Sequence, residues 1–203
     1  FLGERLLWYM LHEETRDLMI PERRSLQGEM TLVMGSAIHG IMQTQFKMMG
    51  LCKCDCTPGG THTCGDIEVE YRNDEFNVRG RVDFNVRHPD GNRYLVELKT
   101  MNVYSFAKYN EISYEHDVQM SFEEDCLGRS EGVLLIAQSG WPYDLREFHH
   151  TRNDKILSEQ YQKFDRVLTA IQLDTPPKHC CQFGSPTMTT CPARNVCWLA
   201  KEK

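Results

Sequence analysis

The chain has no apolar run long enough to span a bilayer and no charged-then-apolar pattern at its N-terminus. It also has no internal repeat, low-complexity tract or long linker. The first absence argues against a helical membrane protein, and with the second the chain reads as intracellular, so the expected location is cytoplasmic. An excess of positive charge is missing too: 23 Lys and Arg against 29 Asp and Glu give a formal net charge of −6. That excludes a protein that grips nucleic acid with a uniformly basic surface. It leaves room for a local basic groove, since Arg79, Arg81, Arg87, Arg93, Lys99 and Lys108 fall in one stretch. Each of these serves equally well as an ordinary solubilising charge on a strand face. The chain opens on Phe1 rather than methionine, so a trimmed or partial chain is expected, with residues upstream able to contribute. The composition is that of a soluble folded protein, read as one domain over 1–203 with a cysteine-rich insertion at 51–65 and a cysteine-rich tail at 178–203.

What the chain does have is nine cysteines, a high number for an intracellular protein, and they are clustered. Cys52, Cys54, Cys56 and Cys64 form one group, Cys180, Cys181, Cys191 and Cys197 another, and Cys126 stands alone. In a reducing compartment such clustering favours metal ligation over disulfides. The first group, with His62, has the thiol density of a zinc knuckle but lacks the usual Cys-x2-Cys spacing. Zinc at Cys52, Cys54, Cys56 and Cys64 therefore stands beside an exposed loop whose cysteines bind nothing.

Residues 76–87 alternate, with Phe76, Val78, Gly80, Val82, Phe84 and Val86 on one face and Arg79, Arg81, Asp83 and Asn85 on the other. This is the period of a half-buried strand, and it turns Asp83 away from the core. Asp90-Gly91 marks a hairpin turn into a second strand, on which Glu97 and Lys99 share a face. Two carboxylates on neighbouring strands can hold a hard divalent cation through oxygen, with the lysine beside the attacking water. Upstream, Met34, Ile38, Met42, Phe46 and Met49 recur at helical spacing and carry His39 in the first half of a helix stopped by Gly50. Downstream, Val118, Phe122 and Cys126 form one stripe of a helix, while His116, Gln119 and Glu123 form another.

These residues resemble the PD-(D/E)XK nuclease superfamily: Asp83, then Glu97-Leu98-Lys99 after a hairpin, in the order of its acidic pair and lysine. Gly35-Ser36-Ala37-Ile38-His39 resembles the Gly-x-x-x-His element of the RecB-like branch, and Gln119 falls where that branch carries Gln-x-x-x-Tyr. The tyrosine position is Glu123 here, with Phe122 one residue early. The resemblance implies that His39, Asp83, Glu97 and the Leu98 carbonyl hold Mg2+ or Mn2+. It further implies that Lys99 orients or activates the water and that Gln119 positions DNA. The cysteine tail resembles that of iron–sulfur members such as the CRISPR-adaptation nucleases. A 4Fe-4S cluster at Cys180, Cys181, Cys191 and Cys197 is the corresponding expectation, with structural zinc as the alternative.

The remaining pattern fits the same architecture. Ile67–Tyr71 alternates as a strand, Val133–Ala137 is a short continuous apolar run suited to a buried central strand, and 144–150 reads as its neighbour. Asn153-Asp154 caps a long amphipathic helix that ends at Thr175-Pro176-Pro177, and 2–14 reads as an N-terminal helix. His149 and His150, adjacent on a strand, point to opposite faces and cannot easily share one ion. The expected fold is α/β, a mixed central β-sheet flanked by helices with a PD-(D/E)XK restriction-endonuclease-like core and a cysteine-rich C-terminal segment. The resemblance implies a metal-dependent DNA nuclease, an exonuclease acting on DNA ends or single strands, with recombination or CRISPR-adaptation proteins as partners. Two other classes stay open: a non-catalytic nucleic-acid-binding or assembly module that keeps the fold, and a zinc-binding interaction protein built on the Cys52–Cys64 loop.

Overall fold

A computed structural model describes residues 3–20, 25–53, 64–89 and 91–198. In chain order the elements are α1 (Glu4–Leu11), α2 (Glu13–Arg16), α3 (Leu26–Met48), β1 (Ile67–Asn73), β2 (Val78–Arg87), β3 (Arg93–Met101), α4 (Val103–Lys108) and α5 (Tyr114–Cys126). They continue with β4 (Glu131–Gln138), β5 (Leu145–Thr151), α6 (Asp154–Gln172), α7 (Pro186–Thr190) and α8 (Arg194–Trp198). The residues fall into two compact units, Leu26–Leu157 on the one hand and Phe1–Ser25 with Ser158–Lys203 on the other.

The first unit is built on a five-stranded sheet of order β1-β2-β3-β4-β5. Neighbours are antiparallel except β3 and β4, which run parallel and are joined by a crossover carrying α4 and α5. The sheet is therefore mixed, as the alternating and continuous apolar patterns imply. The alternation of β2 is realised in its first part, where Val82 and Phe84 are buried and Arg79 and Arg81 exposed; toward its end Asn85, expected on the outward face, is buried like Val86, its Nδ2 donating to Gly65 O at 3.2 Å. Phe84, Val86, Val96 and Leu98 pack with Ile38, Met42 and Phe46 of α3, so this helix covers one face. Leu134 and Ile136 pack with Phe106 of α4 and Met120 of α5, which cover the other. Phe84, Ile67, Leu134 and Ile136 expose none of their surface; each such burial stabilises by about 1.5–3 kcal/mol.

Chain reversals use residues that tolerate left-handed backbone. Asn77 (φ 50) closes the β1–β2 hairpin, and Gly91 (φ 92) closes the β2–β3 hairpin, where its N–H donates to His88 O at 3.0 Å. Asp90 of the expected Asp-Gly turn lies outside the described residues, as do Cys54, Cys56 and His62 of the insertion. Helix α3 begins eight residues before the expected start at Met34. Gly28 inside that extension weakens the propensity signal that would have marked it.

In the second unit the buried face of α1 is Trp8 and Tyr9, with Leu6 and Leu7 beside them, packed with Val167 of α6 and Ala193. The expected stripe included Met10 and Leu11, but these are 41% and 55% exposed. Two aromatic rings remove more apolar area from water than two aliphatic side chains, and this decides which face turns inward. The helix stops at His12, whose backbone is extended, and α2 restarts it for a single turn. No described helix is long and apolar enough to cross a membrane.

Candidate active site

The sheet is irregular at one level. Pairing of β2 with β3 runs from Arg87–Arg93 to Phe84–Val96 and stops, so the next residues in that register are Asp83 and Glu97. Pairing of β1 with β2 joins Ile67 to Phe84 and Val69 to Val82 and passes over Glu68 and Asp83. The register thus sets Glu68, Asp83 and Glu97 abreast on three adjacent strands, where both ladders are interrupted. Glu68 takes a left-handed backbone, φ 51. That conformation costs a non-glycine residue about 1–3 kcal/mol and marks sites where a side chain must be re-aimed. Its carboxylate accepts from Gln43 Nε2 at 3.2 Å and pairs with Arg81 at 3.3 Å.

Asp83 closes the gap that the strands leave. Its Oδ2 accepts from the Leu98 N–H at 2.8 Å, replacing the missing ladder bond, and its Oδ1 meets His39 Nδ1 at 3.1 Å. The hydrogen bond to Asp83 holds the His39 pKa above its ordinary value against the opposing effect of burial. α3 comes close to the sheet here because it carries glycine at position 35: a Cβ there would lie 3.3 Å from Thr100 Oγ1. Glu97, only 6% exposed, accepts from Lys99 Nζ and from Gln119 Nε2, both at 2.7 Å and both on Oε1. Its Oε2 is buried with no hydrogen-bond partner. Burial, and then the neighbouring Asp83 charge, raise the Glu97 pKa, while Lys99 and Gln119 oppose the rise. A groove of about 620 Å3 opens onto His39, Glu68, Glu97, Leu98 and Lys99.

Five sequence-predicted residues are therefore brought together in two hydrogen-bonded sets, His39 with Asp83 on the Leu98 N–H and Lys99 with Gln119 on Glu97, which the backbone of β3 places side by side. As they stand, no three His, Cys, Asp or Glu side chains among the described residues are gathered closely enough to ligate one ion. The reason is visible in the bonds: Asp83 spends both oxygens on His39 and Leu98, and Glu97 spends one on Lys99 and Gln119. The donor chemistry does fit a hard divalent cation. Carboxylates crowd the site, and an orphaned carboxylate oxygen in a buried position is the kind of deficit that a cation removes.

Three features escaped the sequence. Glu68 rather than the exposed Glu70 faces the groove, because the left-handed residue breaks the alternation on which a strand reading depends. Glu123, 2% exposed, receives a second hydrogen bond from Gln119 Nε2 at 2.8 Å. His150 is buried between Glu124, at 2.8 Å from Nδ1, and Asp117, at 3.0 Å from Nε2. The signal for Glu123 was its place on the Gln119 stripe, and the nearest signal for the His150 cluster was the acidic run Glu123-Glu124-Asp125 on an otherwise half-apolar helix. Arg93, offered as a groove cation, is instead paired with the buried Asp66 at 2.9 Å.

The tail cysteines lie in the other unit. Cys197 Sγ accepts from Arg5 Nε at 3.1 Å and lies 3.3 Å from His179 Nδ1. Burial first, and then the proximity of Cys181, Cys191 and Cys197, raise the Cys180 pKa. The four thiols are neighbours, yet no three are arranged around a common point. Of the insertion cysteines, Cys52 is buried in the sheet core and donates to Asp66 O at 3.6 Å, the position of a packed thiol.

The chain thus combines a mixed α/β sheet with an acid–acid–lysine group at the opening between two hairpin strands. In fold the chain is similar to LHK-Exo, crystallised in complex with dAMP, with a TM-score of 0.53 at 14% identity over 84% of this chain and 87% of that one. It is similar also to SSO0001, with a TM-score of 0.53 at 13% identity over 96% of this chain and 80% of that one. No family model matches the sequence, and no curated protein matches it. At such identities the likeness establishes the fold alone.

Proposed function

We propose that the protein is a divalent-cation-dependent nuclease that hydrolyses phosphodiester bonds of DNA, acting as an exonuclease on ends or single strands in the cytoplasm. One observation carries the reading: the buried, unpartnered Glu97 Oε2 beside Asp83, with Lys99 Nζ 2.7 Å from the other oxygen of the same carboxylate. A bound Mg2+ or Mn2+ would supply Lewis acidity toward the phosphate and lower the pKa of the attacking water. Asp83, Glu97, His39 and the Leu98 carbonyl are the residues that would hold it. Lys99 then donates to and orients the nucleophilic water, an ammonium being a compact point charge able to hold that position. His39 fixes the Asp83 carboxylate through its Nδ1, and Gln119 fixes the Glu97 carboxylate.

The thiols of Cys180, Cys181, Cys191 and Cys197 form a soft donor set suited to a 4Fe-4S cluster or zinc in a purely structural role. Metal analysis of anaerobically purified protein decides between the two, and a metal-free protein removes both. The reading extends to DNA ends, and to recombination or CRISPR-adaptation proteins, through the family resemblance alone. End-labelled single- and double-stranded DNA incubated with Mn2+, Mg2+ or EDTA, alongside the Lys99→Ala variant, tests the activity. Metal-dependent release of label that the variant loses supports the nuclease and gives its polarity. Absence of cleavage under every condition favours the non-catalytic binding module.

A further inference from the structure

Gln119 is bonded twice by one nitrogen. Its Nε2 donates to Glu97 Oε1 at 2.7 Å and to Glu123 Oε1 at 2.8 Å. A primary amide nitrogen carries two hydrogens and accepts nothing, so both are committed and the amide plane is fixed between the two acids. Glu123 lies one helical turn after Gln119 on α5, the spacing at which side chains of a helix meet. It occupies the position where the resembled nucleases carry tyrosine, a residue that would bring a hydroxyl rather than a carboxyl to this place.

We propose that Glu123 is a positioning residue for the candidate active site: its carboxyl oxygen accepts from the Gln119 amide and holds it so that the amide fixes Glu97. The inference rests on the nuclease reading above for its consequence in catalysis, and on the geometry alone for the clamp. Glu123 is 2% exposed, and Glu97, Asp83 and Lys99 all act on it electrostatically. Burial first, and then the Glu97 charge, push the Glu123 pKa up to about 9, with the Gln119 hydrogen bond opposing. A carboxylic acid that stays protonated at neutral pH accepts from the amide without adding a charge to a place already crowded with carboxylates. The packing around it agrees: the Tyr71 hydroxyl, whose pKa is raised by burial and then by Glu123, is on the same side, and the Tyr71 and Phe122 rings meet edge-on at 6.1 Å. An ionised Glu123 would be poorly solvated there.

The test compares Glu123→Ala and Glu123→Gln with the parent protein, reading cleavage kinetics and the NMR signals of the Gln119 side-chain amide, assigned by their loss in Gln119→Leu. Glu123→Gln keeps a neutral carbonyl acceptor, and Glu123→Ala removes it. The expected result is an amide that exchanges at least about tenfold faster with solvent in Glu123→Ala and at close to the parental rate in Glu123→Gln, since a lost hydrogen bond of ~1.5 kcal/mol corresponds to that factor. With it, kcat falls about 10- to 100-fold in Glu123→Ala at nearly constant KM, and Glu123→Gln restores most of it. Unchanged amide exchange in Glu123→Ala, or a Glu123→Gln variant as impaired as Glu123→Ala, overturns the proposal. A parent protein that cleaves nothing refutes the nuclease reading only, because the amide signals still judge the clamp.

Discussion

His39 and His150 each meet carboxylates within the sheet unit, and the surroundings of the two differ. His150 is 5% exposed and has a carboxylate on each ring nitrogen, Glu124 and Asp117, with Asn153 and Ser121 also bonded to Asp117. His39 meets only Asp83, at the rim of a groove, and beyond Asp83 lie Glu97 with an orphaned oxygen and Glu68 on a strained backbone. The first cluster is sealed from solvent and ties α5 to β5, although Glu124 Oε2, like Glu97 Oε2, is buried without a hydrogen-bond partner. The second is open and short of positive charge. What separates the two is access: the His150 cluster has an acid on each ring nitrogen and is packed inside the fold, whereas the unsatisfied Glu97 carboxylate lies on a groove that a ligand can enter.

Substitutions should separate the two clusters by what they damage. Lys99→Ala is expected to lower DNA cleavage by at least about 10²-fold, a usual size for loss of a positioned catalytic group, with the melting temperature within ~2 °C of the parent. A parallel loss of stability would put Lys99 in the structural class. Glu124→Ala should do the reverse, costing about 3–5 kcal/mol in denaturant unfolding because it leaves His150 buried without its main partner. Gly132 belongs to the same closed cluster: a Cβ there would lie 2.6 Å from Glu124 Oε1 and 3.1 Å from the Leu95 carbonyl. Gly132→Ala should cost about 1–3 kcal/mol by overpacking.

The closed cluster also carries a pH signature. Burial lowers the His150 pKa, but its bonds to Glu124 and Asp117 outweigh this and leave it raised, and the Glu124 pKa is raised by burial. Both shifts mean that the folded state holds a proton more tightly than the unfolded chain does. The contribution of His150 is therefore complete below its unfolded value near 6.5 and is lost as pH rises through the folded pKa. The melting-temperature difference between the parent and His150→Gln should narrow from pH 6 to pH 9, and a constant difference would contradict the assignment. The smallest effect is expected from Gly35→Ala. Its Cβ meets Thr100 Oγ1 at 3.3 Å, so Thr100 must move by a few tenths of an ångström, and cleavage should fall no more than about tenfold while stability stays within ~1 kcal/mol.

The open cluster was more legible in the sequence than the closed one. Asp83, Glu97 and Lys99 stand in a short alternating stretch whose faces are fixed by the period of a strand, and the hairpin between them brings them together. His39 and Gln119 were reachable because helical spacing separates them from the apolar stripes of α3 and α5. Glu68 was hidden because its usefulness depends on a backbone conformation that no periodicity predicts for glutamate. Glu123 was legible as a neighbour of Gln119 on one helical stripe but not as a buried acid, whereas Glu124 and His150 were hidden because they are 26 residues apart and meet only once β5 has paired with β4. The sheet itself followed from patterning, although the start of α3 and the buried face of α1 were set by packing rather than by local propensity.

The central claim is that the incomplete cluster takes a divalent cation. Titration of Mn2+ into the parent protein and into Asp83→Asn, followed by calorimetry or by loss of the free-ion EPR signal, addresses it without any assumption about substrate. Binding to the parent that Asp83→Asn abolishes or weakens at least about tenfold is the predicted result. Equal binding by both proteins, or no binding by either, would contradict it.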